Sequence, residues 1–246
     1  MIPPFRNCLL RALPPADLAL LTPHLVTVSV ARGDVVVRSD EPFRHGWFPE
    51  SGLASIISNT SEPRRLEVGL CGWEGMVSTA LILGVDSTPH ETTVQIEGTW
   101  LRIEAERLRT AMGESPALTA VLMRYVQTFL LVLSQTALSN GAYKIEERLA
   151  RWLLLAHDRT DGDELHLTHE FLSLMLAVRR SSLTIATHML EGAGMIRARR
   201  GLIIVLDRAK LEAAAGDTYG KAEEEYERLI GPYRKTAPAG ASCLAP

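Results

Sequence analysis

Between Arg179 and Arg200 the sequence places five arginines (Arg179, Arg180, Arg197, Arg199, Arg200) and a single carboxylate, Glu191. The chain of 246 residues carries a formal charge of −3, so this stretch is a local basic excess on an acidic background. The chemistry such a cluster performs is phosphate neutralisation, which draws on the release of condensed counterions. An arginine fork can also bond O6 and N7 of a guanine together. Other chemistries find less support. Three widely spaced cysteines (Cys8, Cys71, Cys243) form no CxxC pair. They argue against a disulfide framework, a zinc site or an iron–sulfur cluster, and for a reducing, cytoplasmic setting. His24, His45 and His90 are isolated candidates for a haem ligand, and His90-Glu91 is an incomplete fragment of a jelly-roll metal set. Nucleophile elbows and phosphate loops are absent from the sequence. No catalytic residue, no metal and no cofactor is predicted, and the chain is not expected to be an enzyme.

The elements that must position the arginines are legible. Thr168 is an N-cap candidate for a short helix over 169–176. Ala177-Val178 makes a turn, and a second helix over 179–190 carries Leu183, Ala186, Thr187 and Leu190 on one face. Glycines at 192 and 194 end it. Residues 195–199 and 202–206, joined at Arg200-Gly201, read as a hairpin. Helix, tight turn, helix and hairpin make the winged helix-turn-helix arrangement, whose second helix enters the major groove.

Upstream, short β-prone runs (26–30, 35–37, 54–57, 66–70, 92–96, 99–103) are separated by Gly-, Pro- and Asp-bearing turns, the texture of a sandwich, barrel or jelly roll. Residues 116–139 then contain no glycine and no interior proline. Leu118, Leu122, Tyr125, Phe129, Val132 and Thr136 alternate spacings of four and three, which predicts a dimer seam, the alternative being the core helix of a monomer. Val126, Leu130, Leu133 and Ala137 make a second stripe, so one face is expected on the β-domain and the other on a partner. Asn140-Gly141 is read as a break. No apolar run is taken to reach the roughly 18 residues of a membrane span. The N-terminal MIPPFRNCLL lacks the apolar segment of a secretory signal.

The stretch LTHEFLSLMLAVRRSSLTIATHMLEGAGMIRARRGLIIVLDRAKLE, with KIEERLARWLLLAHDR before it, resembles the C-terminal DNA-binding module of the CRP/FNR family of bacterial transcription regulators. The resemblance implies an α+β fold: an N-terminal jelly-roll-like β-roll sensor over 1–113, a long dimerisation helix over 114–143 and a winged helix-turn-helix over 144–212. A C-terminal tail over 213–246, with a disordered end, would follow. Carried over by position, Thr168, Arg179, Arg180, Ser181, Ser182, Thr184, His188, Arg199 and Arg200 become the DNA contacts. Arg180 would read bases and the wing arginines would hold phosphate. Ile185 would touch a thymine methyl or simply pack. The implied partners are double-stranded DNA with an inverted-repeat operator, a second copy of the chain, and RNA polymerase.

The same resemblance places an effector pocket at Gly72, Glu74, Gly75, His90, Glu91 and Thr92. His90 stands where the family has a phosphate-binding arginine, and Glu91 beside it repels an anion, so cyclic-nucleotide binding is not expected. The effector stays unidentified. Two other readings remain open: a β-roll module whose helices dock a protein, for which an exposed apolar stripe would be the mark, and a jelly-roll metalloenzyme.

Overall fold

The computed structural model describes residues 5–59 and 65–235. Two short helices, α1 (Cys8–Arg11) and α2 (Pro15–Leu21), lead into seven strands. These are β1 (Val26–Val30), β2 (Val35–Val37), β3 (His45–Pro49), β4 (Leu53–Asn59), β5 (Arg65–Cys71), β6 (His90–Ile96) and β7 (Gly98–Glu104), with α3 (Thr79–Ile82) before β6. They form two antiparallel sheets in the orders β1-β7-β3 and β2-β6-β4-β5. The strand runs expected from sequence are present. The unexpected one is β3, where Gly46 and Pro49 mask the β signal. It lies at a sheet edge, where a proline need not donate to a ladder. Phe48, Trp100, Ile103 and Leu108 fill the roll, the last from α4 (Ala105–Glu114).

Helix α5 (Pro116–Ala142) starts at Ser115, whose hydroxyl accepts from the Leu118 N–H at 3.0 Å, with Pro116 at the first helical position. It runs through Asn140-Gly141, which sits in the last turn and does not break it. By length and a mean hydropathy of 1.6 this helix could cross a membrane, contrary to the sequence expectation. Here its apolar residues are spent on packing: Leu118, Val121, Leu122, Tyr125, Val126 and Val132 are buried within the chain. That burial takes Leu118, Leu122, Tyr125 and Val132 of the expected 118/122/125/129/132/136 dimer seam into the chain's own packing. Leu118, Leu122 and Tyr125 belong to the β-roll core, while Phe129 and Thr136 line a cavity under the second sheet. A helix apolar on two faces does not announce which face its own domain takes.

The C-terminal part comprises α6 (Ile145–His157), β8 (Glu164–Leu165), α7 (His169–Met175), α8 (Arg180–Gly192), β9 (Ile196–Arg199), β10 (Leu202–Val205), α9 (Arg208–Ala215) and α10 (Lys221–Leu229). The segment read as a tail from 213 is largely ordered: α10 packs on α5, and Tyr226 and Tyr233 enter the β-roll core. The expectation of a disordered end falls on 236–246, outside the described residues.

The two halves meet around one buried charge. Arg159, 2% exposed, donates from Nε to Glu74 Oε1 at 2.8 Å and from Nη1 to the Leu155 carbonyl at 2.8 Å. Glu74 Oε2 accepts from the Gly72 N–H at 3.0 Å, and the Tyr226 hydroxyl donates to the Glu74 carbonyl. Burial alone would lower the Arg159 pKa, but Glu74, Tyr233 and Asp158 around it hold it well above its ordinary value. A Cβ on Gly72 would lie 2.9 Å from Arg159 Cβ, and one on Gly75 2.2 Å from the Tyr125 hydroxyl, so only glycine admits this approach. Nearby, Arg208 pairs with buried Asp158 at 2.8 Å and donates to His157 Nδ1 at 3.0 Å, so His157 Nε2–H donates to Asp163 at 2.8 Å. Removing one partner of a buried pair leaves the other charge unpaired, at a cost of about 3–5 kcal/mol. Arg159→Ala is therefore expected to lower stability by about that amount in urea unfolding, and a loss below about 1 kcal/mol would show the pair to be solvated.

Candidate nucleic-acid interface

Thr168 caps α7: its backbone is extended and its hydroxyl accepts from the Phe171 N–H at 3.2 Å. Phe171, Leu172 and Met175 anchor α7 to α6, with Phe171 edge-on to Trp152 at 5.7 Å between ring centres. The turn is made by Ala177 at φ +51°, a left-handed conformation that reverses the chain in few residues. Arg148 from α6 braces it by donating to the Leu176 carbonyl. Helix α8 then begins at the residue after Arg179 and buries Leu183, Ala186, Thr187 and Leu190, the face expected from sequence. Its N-terminus has no side-chain cap, so its first N–H groups are open to an anion.

Arg179, Arg180, Ser181, Ile185, His188 and Met189 are exposed on α8, and Ser182 is half-buried. Thr184 donates its hydroxyl hydrogen to the Arg180 carbonyl at 2.9 Å, which leaves it only as an acceptor. Strands β9 and β10 pair antiparallel with Arg199 opposite Leu202, and the tip turns at Gly201, φ +74°. Arg197, Arg199 and Arg200 are exposed on this wing, which β8 completes as a third strand. Glu191, the one carboxylate of the stretch, is tied down by the Ala198 N–H at 2.7 Å. All five arginines thus stand on the surface made by α8 and the wing.

Two features escaped the sequence. Arg180 pairs with Glu170 of α7 at 2.6 Å, both side chains largely exposed. Such pairs are worth about 0–1 kcal/mol, so the guanidinium can exchange partners. Ile185 and Met189 are 63% and 52% exposed one turn apart, so Ile185 does not pack within the chain. Their spacing was visible, but the exposed face of α8 is set by how α6, α7 and β9 cover the other.

The expected effector pocket is divided. Gly72, Glu74 and Gly75 are consumed by the Arg159 joint and line no part of the cavity between the second sheet and α5. His90 and Thr92 do line it. Glu91 accepts from the Thr93 hydroxyl at 3.1 Å and is not in the lining. In the loop expected to cradle a phosphate, the Gly72 N–H is already taken by Glu74. Glu67, unforeseen, stands in the wall instead. It accepts from Trp152 Nε1 of α6 at 2.7 Å and from the Ser55 hydroxyl.

Against that geometry, comparison with known proteins is specific. The Crp-like helix-turn-helix domain model matches residues 147–214. The chain carries a Crp-like helix-turn-helix domain on a CRP/FNR fold. A CRP-family transcriptional regulator from Thermus thermophilus is 18% identical, with 77% of this chain and 97% of that one covered at a TM-score of 0.65. FixK2 from Bradyrhizobium japonicum is 16% identical, covering 78% and 98% at 0.66. The c-di-GMP responsive global regulator CLP of Xanthomonas campestris is 17% identical, covering 77% and 98% at 0.62. No protein of curated function matches the chain in sequence.

In this CRP/FNR-fold chain Glu67 of the β-roll is hydrogen-bonded to Trp152 at the start of the helix-turn-helix half, and its proton matters. Burial pushes its pKa up to about 7 from 4.5, against the pull of Ser55, Trp152, Arg151 and Arg159. The folded state therefore holds a proton that the unfolded chain has lost between those values. The stability it contributes is full below pH 4.5 and lost as pH rises through about 7. Glu67→Gln, which cannot titrate, is expected to flatten the fall in melting temperature between about pH 4.5 and 7. Equal slopes for the two proteins would show that Glu67 does not titrate there.

Proposed function

We propose that this chain is a sequence-specific DNA-binding transcription regulator, acting in the cytoplasm as a homodimer under the control of a small effector, with RNA polymerase as a partner at its promoters. The observation that carries the reading is the surface of α8 and the wing, where five exposed arginines surround a helix of the right shape for a major groove. Arg180 at the start of α8 is the base reader, with Ser181, Ser182 and Thr184 beside it. Ile185 and Met189 supply apolar contact for thymine methyls. Arg179, His188, Arg199, Arg200 and the Thr168 helix start hold the backbone.

A docking module for a protein keeps one observation, the exposed Ile185–Met189 pair. Two apolar residues flanked by arginines suit a groove edge better than the longer i, i+3, i+4, i+7 stripe of a docking helix.

Selection of bound DNA from a random pool is expected to return inverted repeats with half-sites one helical turn apart, about 34–36 Å. Arg180→Ala is expected to cost about 1–3 kcal/mol per half-site and to relax preference at one position. Arg200→Ala should weaken all sequences alike and reduce the salt slope by about one. If both variants bind like the parent at matched salt, the interface is wrongly placed.

The dimer seam moves to the outer face of α5. Ala120, Met123, Gln127, Leu130, Ser134 and Ala137 are all exposed and alternate three and four residues apart, the repeat of a left-handed coiled coil. The small residues at three of the six positions allow a second copy of the helix to approach closely. Leu130→Asp is expected to give folded monomers in sedimentation, whereas Val132→Asp should unfold the chain because Val132 is buried within it. Dimers that survive Leu130→Asp would overturn this face.

A further inference from the structure

The cavity between β2-β6-β4-β5 and α5 has a volume of about 370 Å³, in the range of small-molecule sites. Val37, Phe43, Ile56, Phe129 and Leu133 give it an apolar wall. Among the described residues no lysine or arginine lines it, and its one carboxyl is Glu67. An anion entering here would shed its water and meet a carboxyl where it needs a cation. Two polar atoms in this wall are unmet: Ser78 Oγ and His90 Nδ1 are buried without a hydrogen-bond partner. Leaving such a group unpaired costs about 1–3 kcal/mol. Ser78 is also held at φ +75° and ψ +48° before α3, yet its hydroxyl caps nothing there. Backbone strain and unmet bonds at one wall of one cavity are what a binding site retains.

We propose that this cavity binds an uncharged, mostly apolar molecule of one to three aromatic rings, whose single polar group bonds Ser78 and His90. His90 and Thr92 of the expected effector pocket line this cavity; the ligand class is not that of a nucleotide, because no lysine or arginine among the described lining residues balances a phosphate. A guest here also touches Glu67, and through it Trp152 on the first helix of the DNA-binding half. As an effector, such a guest rests on the regulator reading; as a ligand, it does not.

The test is fluorescence titration of the full chain with N-phenyl-1-naphthylamine, an uncharged two-ring probe extended by a phenyl group and carrying one N–H. Saturable binding of one probe per chain is expected. Its sulfonated relative 1-anilinonaphthalene-8-sulfonate and cyclic AMP should each bind at least about tenfold more weakly, a gap of about 1.4 kcal/mol. Leu133→Trp fills the cavity from α5 and should abolish probe binding at an unchanged melting temperature; Thr136→Phe serves if that variant does not fold. Ser78→Gly relieves the backbone and deletes the hydroxyl, so it should raise the melting temperature while weakening the probe several-fold. Absence of saturable binding, probe binding indifferent to a folded filled variant, or preference for either anion overturns the proposal. Probe binding with no selected DNA site would instead overturn the regulator reading alone.

Discussion

A guanidinium buried to 2% exposure must be neutralised where it stands, and much of the joint between the two halves answers that demand from Arg159. Glu74 supplies the countercharge, the Leu155 carbonyl takes a second donor, and the Tyr233 ring lies 5.3 Å from the guanidinium carbon. The loop that delivers Glu74 can come this close only because Gly72 and Gly75 carry no side chain. Residues that resemblance assigns to a phosphate cradle are thereby committed to structure. A buried pair of this kind is a poor source of net stability but a strict condition on geometry. It sets how the β-roll sits on the helices that follow.

Helix α5 is the second constraint. It is apolar around so much of its circumference that it must cover several neighbours: the β-roll along its first half, the cavity and Glu67 wall further on, and α10 beside them. Its exposed residues include a seam of small and medium residues at heptad spacing. One helix thus borders both the cavity and this exposed seam, and Glu67 links that cavity to α6.

The surface made by α8 and the wing needs less from the rest of the chain. A cap at Thr168, a left-handed Ala177 and a glycine at the wing tip shape it locally, and the α8 core face seats it. Its arginines are held by no buried partner. Arg180 rests on Glu170 in an exposed pair that phosphate or guanine can displace at small cost.

The helix-turn-helix and its wing were legible in the residues because their signals are local: caps, turn residues, a 3.6-residue core face and a charge imbalance within a short stretch. The strands of the β-roll were legible for the same reason, except β3, where Gly46 and Pro49 hide an edge strand. The side of α5 facing inward was not, since 118/122/125 and 123/127/130 both follow a heptad and only packing chooses between them. Glu74 with Arg159, Glu67 with Trp152, and the folding back of 221–233 join positions far apart in sequence. Contacts at such separation leave no periodicity to read. They exist because buried charges and hydrogen-bonding groups must find partners inside the folded chain, and only the fold decides which ones are near.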